Sequence, residues 1–328
     1  MASIRNRSGK WQARITRKGE QAIARSFQSR QDAERWARQI ESDIDKGSYT
    51  NLVLAERTTF GEVVERYIQE VICKGRGYKE HTYRLKALIK RPIAKLNMAA
   101  LTPIKIAEYR DERAKTLAPA TVIHELAYFS AIINHARREW GISIVNPIPM
   151  VKKPQMPQGR NRILNEDELS RLYAALTPRV KNANHWMLPL VKFALETAMR
   201  RGEILGLRWE YVDLQKRIAF IPLTKNGESR TVPLSSSAIE LLRALPIDLK
   251  GRVFPLTGRQ VSAAMERARI KAKLDDWHFH DLRHMAITRL AEKLPNLIEL
   301  SAVSGHKSLA MLKRYYHPNV EQLALKIA

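Results

Sequence analysis

A proline-rich stretch, residues 146–161, most constrains how this chain can fold. Prolines stand at 147, 149, 154 and 157, and apolar residues show little periodic spacing there. Proline fixes one backbone dihedral and lacks an amide hydrogen, so neither a long helix nor a central strand continues through such a run. At 328 residues the chain is long enough for two or three domains. We therefore predict a linker over residues 148–162 between two separately folded parts.

The part after the linker, residues 163–328, predicts a mixed α/β domain. Asn165 precedes an acidic, periodic segment as a helix N-cap. Further helices are indicated at 186–199, 235–245, 257–273 and 280–293. Two β-prone segments flank Asn226-Gly227, a dipeptide typical of a tight hairpin turn. The amphipathic tail 320–328 could pack on its own domain or on a neighbouring subunit.

The part before the linker predicts two smaller domains. Residues 1–55 show three short strands with one apolar face, followed by a helix that begins at Ser29. Residues 57–147 show helical periodicity, with the longest helix at 120–140. The predicted fold class is multidomain and mainly α with small β-sheets: a three-stranded sheet plus helix, a helical domain, and a mixed α/β domain.

The charge balance favours a polyanionic partner. The chain has 57 Lys and Arg against 33 Asp and Glu, for a net charge of +24, and such an excess attracts nucleic acid. No apolar run approaches the ~18–20 residues that span a bilayer. The single cysteine, Cys73, excludes an internal disulfide and fits a reducing compartment. We expect a cytoplasmic protein with no membrane partner.

Basic residues on two predicted surfaces are candidate DNA contacts. On the polar face of the N-terminal sheet they are Arg5, Arg7, Arg14 and Lys18. In the helical domain they are Lys86, Lys90 and Arg91. The major groove admits a two-stranded ribbon, so the sheet could enter it. An ordinary solvated basic surface is the alternative at both places.

Arginine, histidine and tyrosine recur in three motifs near the C-terminus. They read W-H-F-H-D-L-R-H at 277–284, G-H-K-S at 305–308 and R-Y-Y-H at 314–317. A guanidinium can donate hydrogen bonds to two phosphate oxygens at once. An imidazole exchanges a proton near neutral pH, and a tyrosine hydroxyl can attack phosphorus. Together these groups indicate a site that breaks a phosphodiester bond without a metal. His278, His280 and His284 permit a metal interpretation, but no carboxylate motif accompanies them, so we expect no metal and no cofactor.

Two upstream motifs extend this pattern: E-T-A-M-R-R-G-E-I-L-G-L-R-W at 196–209 and T-K-N-G-E-S-R-T-V-P-L at 224–234. With them, the sequence from about residue 164 onward resembles the tyrosine site-specific recombinases of the phage integrase family. The resemblance implies a catalytic set of Arg200, Lys225, His280, Arg283, His306 and the nucleophile Tyr315. Ala198 stands where that family usually has glycine.

Two neighbouring residues compete for these assignments. Arg201 could replace Arg200, but Glu203 occupies the family's acidic position and fixes the register. Tyr316 could replace Tyr315, but Tyr315 lies nine residues after His306, as the family nucleophile usually does. Glu203 is expected to orient the basic side chains. His284 is interpreted as a buried structural imidazole.

The resemblance also implies a role for each catalytic group. Tyr315 would form a 3′-phosphotyrosine while Arg200 and Arg283 neutralise the phosphate oxygens. Lys225 would protonate the leaving 5′-oxygen. A separate pair of roles is implied for the histidines: His280 would accept the tyrosine proton or help hold the phosphate, and His306 would donate a hydrogen bond to it.

The implied domain order is an arm-type DNA-binding domain, a helical core-binding domain and a catalytic domain. The implied partners are double-stranded DNA with core-type and arm-type attachment sites, a homo-tetramer on that DNA, an accessory DNA-bending protein and an excisionase. The implied outcome is integration or excision of a mobile element such as a prophage or genomic island, without metal or ATP.

Three other classes of protein compete with this interpretation. A type IB topoisomerase uses similar chemistry without choosing a site, but the arm-like N-terminal domain argues against it. A DNA-binding regulator without catalysis would share the fold and the charge, but the catalytic set is complete. A metal-dependent nuclease would need a carboxylate cluster, which the sequence does not show.

Overall fold

The structure is a computed structural model and describes all residues except 1, 17–21, 47–51, 76, 158–161, 179–183, 223–228, 247, 249, 295 and 316–328. The chain divides into two units, residues 1–158 and 159–328. Their boundary falls within the proline-rich stretch, where few backbone hydrogen bonds can form.

A three-stranded antiparallel sheet opens the first unit, in the order β1-β2-β3. The strands are β1 (Ala2–Arg7), β2 (Lys10–Ile15) and β3 (Ile23–Phe27), and helix α1 (Arg30–Asp45) follows them. Ala13 and Ile15 of β2 are buried with Ala33 and Ala37 of α1. Because strand side chains alternate, the other face of the sheet is left to polar residues.

A separate apolar core forms among the helices of the same unit. Those described are α2 (Val53–Arg57), α3 (Phe60–Glu70), α4 (Tyr78–Ile89), α5 (Pro103–Ala114) and α6 (Pro119–Glu139). Phe60 and Phe129 meet edge to face in this core, with ring centroids 5.0 Å apart. Ile148 and Val151 are also buried in it, so the first residues of the predicted 148–162 linker pack with the helices.

The described candidate DNA-contacting residues of the first unit are solvent-accessible. Arg5, Arg7 and Arg14 lie together on the polar face of the sheet, whereas Lys18 lies outside the described residues. In and after α4, Lys86 and Lys90 are exposed. Arg91 is half-buried and lies 3.9 Å from Glu112. Their contact with DNA stays a prediction.

The second unit combines eight described helices with a small antiparallel sheet. The helices are α7 (Glu166–Leu176), α8 (Met187–Thr197), α9 (Arg201–Gly206), α10 (Ser236–Arg243), α11 (Gly258–Lys271), α12 (Phe279–Lys293), α13 (Leu297–Ser304) and α14 (Leu309–Leu312). The strands, in sheet order, are β4 (Val212–Asp213), β5 (Ile218–Ile221) and β6 (Arg230–Pro233). The predicted fold class, mainly α with small β-sheets, is confirmed, while the three-domain boundaries stay a prediction.

Candidate active site

The connection from α8 to α9 positions Arg200. Helix α8 ends at Ala198, which adopts a left-handed conformation with φ of 50°, and Arg200 is the N-cap of α9. The Arg200 amide donates to Glu203 Oε2 (2.9 Å), and its side chain donates to Glu203 Oε1 (2.9 Å). A third bond runs from Arg200 Nη2 to the carbonyl oxygen of Gly305 (3.1 Å). Arg200 is therefore fixed from two sides.

A buried carboxylate, that of Glu203, joins two arginines. Arg230 of β6 donates from Nη2 to Glu203 Oε2 at 2.8 Å, and Glu203 is only 8% exposed. Burial raises the pKa of Glu203, but hydrogen bonds and positive charge from Arg230, together with Arg200, outweigh burial and leave the pKa below its ordinary value. Glu203 is thus ionised and accepts hydrogen bonds from both guanidinium groups.

Arg283 of α12 is held by backbone carbonyl groups. Its Nη1 donates to the carbonyl of Ala198, and its Nη2 donates to that of Ser304 at 2.6 Å. Burial, followed by the positive charge of Arg200 and Arg230, lowers the pKa of Arg283 to about 10. The group stays cationic at neutral pH, so three arginine side chains concentrate positive charge in one place.

The turn after α13 positions His306. Gly305 ends the helix with φ of +67°, a conformation that glycine adopts without strain. His306 Nδ1 lies 2.8 Å from Ser304 Oγ, and Ser301 Oγ donates to the His306 carbonyl at 2.6 Å. Burial, then the charges of Arg283 and Arg200, lowers the pKa of His306 to about 4. His306 is therefore neutral at physiological pH.

Tyr315 ends the last described turn, Lys313–Tyr315, and is 9% exposed. It packs in one apolar cluster with Ala198 and Leu312. Its hydroxyl makes a hydrogen bond with His284 Nδ1. Burial raises the pKa of Tyr315, although Arg314 and Arg283 act in the opposite direction. The structure thus brings the hydroxyl of Tyr315 into a buried, basic environment.

Five of the six implied catalytic residues lie in described parts of the chain, and Lys225 lies outside them. Two further residues join the site that the sequence did not assign to it. The only sequence signal for Arg230 is its charge at the start of a short strand, and His284 was interpreted as structural. Their tertiary partners come from distant parts of the chain, which local spacing does not reveal.

Comparison with known proteins identifies the family. The phage integrase family model matches residues 162–322. The shufflon-specific DNA recombinase of Escherichia coli is 39% identical over 280 residues, which cover 83% of this chain and 72% of that protein. A putative integrase/recombinase of Haemophilus influenzae is 33% identical over 334 residues, which cover 98% of this chain and 89% of that protein. The chain belongs to the phage integrase family.

The fold of this integrase-family chain is similar to that of lambda integrase. A crystal structure of a lambda integrase dimer bound to a COC′ core site matches with a TM-score of 0.65 and 22% identity, covering 96% of this chain and 94% of that one. A lambda integrase tetramer bound to a Holliday junction matches with a TM-score of 0.64 and 21% identity, covering 94% and 95%. Family membership makes the chain a tyrosine recombinase.

An open groove of about 700 Å³ borders the site of this recombinase. Its lining combines Arg200 and Arg201 with Arg269 of α11 and with His278 and His280 at the start of α12. Within the described residues, no group of three or more His, Cys, Asp or Glu side chains is placed to hold a metal ion. No described helix is long and apolar enough to cross a membrane.

Proposed function

We propose that this protein is a site-specific recombinase that cuts and rejoins DNA through a 3′-phosphotyrosine at Tyr315. The observation that carries the proposal is the placement of a buried tyrosine hydroxyl in the same cluster as Ala198, whose carbonyl holds Arg283. Arg283 and Arg200 would bind the non-bridging oxygens as negative charge builds in the transition state. Preorganised cations of this kind need no rearrangement during the reaction.

The remaining groups would protonate the leaving oxygen and donate hydrogen bonds to the phosphate. Lys225, which lies in the sequence between the segments of β5 and β6, would protonate the leaving 5′-oxygen, and His306 would donate a hydrogen bond to the phosphate. His280 lines the groove beside Arg200 and would help to hold the phosphate. The phosphotyrosine ester conserves the energy of the broken bond, so religation would need no ATP, and the arginines would supply the positive charge that a metal supplies elsewhere.

The partners would be double-stranded DNA and further copies of this chain. The net charge of +24 suits a polyanion, and the groove offers a basic lining. Lambda integrase, which has the same fold, is known as a tetramer on a Holliday junction, and we propose the same assembly here. Core-type and arm-type sites, a DNA-bending protein and an excisionase complete the proposed cytoplasmic system.

We propose integration and excision of a mobile element, such as a prophage or genomic island, as the biological outcome. Inversion of a DNA segment is a second outcome of the same chemistry. It is favoured by the 39% identity to a shufflon-specific DNA recombinase. The orientation and location of the recognised sites separate the two outcomes.

Recombination between selected sites tests this proposal. Binding sites would first be selected as the DNA duplexes from its source that the protein binds. Two copies of a selected site would then be placed on one supercoiled plasmid, either as direct or as inverted repeats. In a third arrangement, the two copies would be on separate plasmids. In EDTA and without ATP, we expect recombinant junctions with the wild type and Tyr316→Phe but none with Tyr315→Phe. Inverted pairs report inversion, and separate plasmids report integration. Relaxation of any plasmid without junctions would indicate a topoisomerase instead.

A further inference from the structure

Two contacts join His284 of α12 to Tyr315. The His284 Nδ1 atom and the Tyr315 hydroxyl make a hydrogen bond. The two rings also stack, with centroids 5.9 Å apart and planes inclined by 24°. Because a polar contact and a ring contact act together, the hydroxyl is held against one particular nitrogen.

The pKa shifts of the pair leave both groups neutral at neutral pH. Burial, followed by the charges of Arg314 and His280, lowers the pKa of His284 to about 4, whereas burial raises the pKa of Tyr315. The groups that act on the imidazole are Arg314, His280 and Arg283, which lower its pKa, and Asp281, which raises it. A neutral imidazole carries its hydrogen on one ring nitrogen and accepts at the other, so the tautomer protonated on Nε2 lets Nδ1 accept the phenol O–H. Proton transfer from Tyr315 requires this tautomer.

His280 occupies a different position on the same helix. Its ring meets the ring of His284 edge to face, with centroids 5.2 Å apart and planes at 88°. It lines the open groove together with Arg200. In the part of the chain that the structure describes, no hydrogen bond joins His280 to Tyr315. His280 therefore lines the groove, whereas His284 contacts the tyrosine hydroxyl.

We infer that His284, rather than His280, accepts the hydroxyl proton of Tyr315 during strand cleavage. This inference rests on the proposed role of Tyr315 as the nucleophile. The O–H bond of Tyr315 breaks, its proton moves to His284 Nδ1, and its oxygen bonds to phosphorus. The bond between phosphorus and the 5′-oxygen breaks, and that oxygen takes a proton from Lys225. In religation the departing tyrosine oxygen recovers its proton from His284.

A purely structural role for His284 makes a different prediction. Asparagine places an amide oxygen close to where histidine has Nδ1, but that oxygen is not basic. The substitution His284→Asn therefore keeps a hydrogen-bond acceptor for Tyr315 and removes the proton acceptor. His280→Asn is the matched control, because it makes the same chemical change one turn earlier on α12.

The rate of covalent attack can be isolated from proton transfer to the leaving group. A core-site duplex with sulfur in place of the bridging 5′-oxygen releases a thiolate, which needs no protonation by Lys225. The experiment measures single-turnover formation of the protein–DNA adduct by the full chain across a range of pH. The wild type, His284→Asn, His280→Asn and Tyr315→Phe proteins are compared at saturating protein.

We expect His284→Asn to slow adduct formation at neutral pH by about 10²-fold or more, the usual scale of general-base catalysis. Its rate should then rise about tenfold per pH unit, because tyrosinate must form by loss of a proton to solvent. His280→Asn should lack that steep rise. If His284→Asn does not fold, the pH profile is measured with His284→Gln, which also removes the basic nitrogen.

Three results would overturn the inference. The first is that His284→Asn forms the adduct at a rate within about threefold of the wild type. The second is that His284→Asn is slower but has the same pH profile as the wild type. The third is that the steep rise of rate with pH occurs in His280→Asn instead. The proposed function fails separately: it is refuted if Tyr315→Phe still forms the adduct. When only Tyr315 forms the adduct and His284→Asn behaves as the wild type, the inference alone is wrong.

Discussion

At the scale of single residues, Glu203 balances the charge of the site. Arg200 and Arg230 both donate to its carboxylate, and the carboxylate is almost completely buried. Arg283 lies close enough for both arginines to lower its pKa. Without the negative charge, these cations would repel one another in a region where water screens them poorly.

Glu203→Gln is predicted to destabilise the second unit by about 3 kcal/mol, because it leaves buried positive charge uncompensated. Urea unfolding at neutral pH, followed by circular dichroism, measures the change. Glu203 stabilises the fold fully above the ordinary glutamate pKa of 4.5, and this stabilisation is lost as the pH falls through its lower folded pKa. The difference from the wild type should therefore shrink in acid.

Glu108→Gln is the matched control for that prediction. Glu108 makes an ion pair of 2.8 Å with Lys105, but both side chains are exposed, and exposed pairs contribute little. We expect no measurable change in its unfolding curve. Equal effects of the two substitutions would show that the buried position of Glu203 does not matter.

At the scale of secondary-structure elements, two helix ends build the site. The last carbonyl groups of a helix lack partners within it and carry partial negative charge. Here α8 offers the carbonyl of Ala198 and α13 offers that of Ser304, and both accept hydrogen bonds from Arg283. Left-handed residues, Ala198 and Gly305, close the two helices. The residues that end the two helices therefore also position the Arg283 side chain.

Gly305→Ala is predicted to destabilise the protein and to displace Arg230. A Cβ at 305 would lie 2.9 Å from Arg230 Nε, in addition to the strain of φ at +67°. Gly141→Ala is the control, since Gly141 has φ of +65° with nothing within 4 Å of the added Cβ. We expect about 1 kcal/mol for the control, from backbone strain alone, and a larger loss for Gly305→Ala in thermal unfolding. Equal losses would contradict the contact with Arg230.

The elements also show how far the sequence could predict this site. The resemblance to the phage integrase family named Arg200, Arg283 and Tyr315, because each lies in a short motif that can be recognised in the sequence alone. The pairing of Tyr315 with His284 could not be predicted, because those residues are 31 positions apart and meet only after α12 to α14 pack. Glu203 was expected to orient the basic side chains, but its partner Arg230 comes from a different element and was not named among them.

At the scale of the whole molecule, positive charge is spread over both units. The N-terminal sheet turns its apolar face to α1 and leaves Arg5, Arg7 and Arg14 on the other face. The second unit adds the arginines that line the groove. A net charge of +24 predicts DNA binding that weakens steeply with salt.

Arg14→Ala is predicted to weaken binding of the full chain to its selected DNA and to reduce the salt slope by about 0.9, the value for one lost phosphate contact. Arg25→Ala is the matched control. Arg25 is an exposed arginine of the same sheet, but it lies over the ring of Phe27 on the other face. Binding titrations at several salt concentrations measure both slopes. The same change in both would contradict a specific role for the polar face.

The most direct test of the phosphotyrosine mechanism is the identity of the residue that becomes joined to DNA. A core-site duplex with a nick just 3′ of the cleavage position loses the short fragment that carries the new 5′-hydroxyl, and this loss traps the covalent intermediate. After nuclease and protease digestion, mass spectrometry locates the remaining nucleotide on a peptide. We predict that the nucleotide is on Tyr315, in EDTA as in its absence, and that Tyr315→Phe yields none. A nucleotide on Tyr316 or any other residue, or an adduct that forms with Tyr315→Phe, would contradict the mechanism.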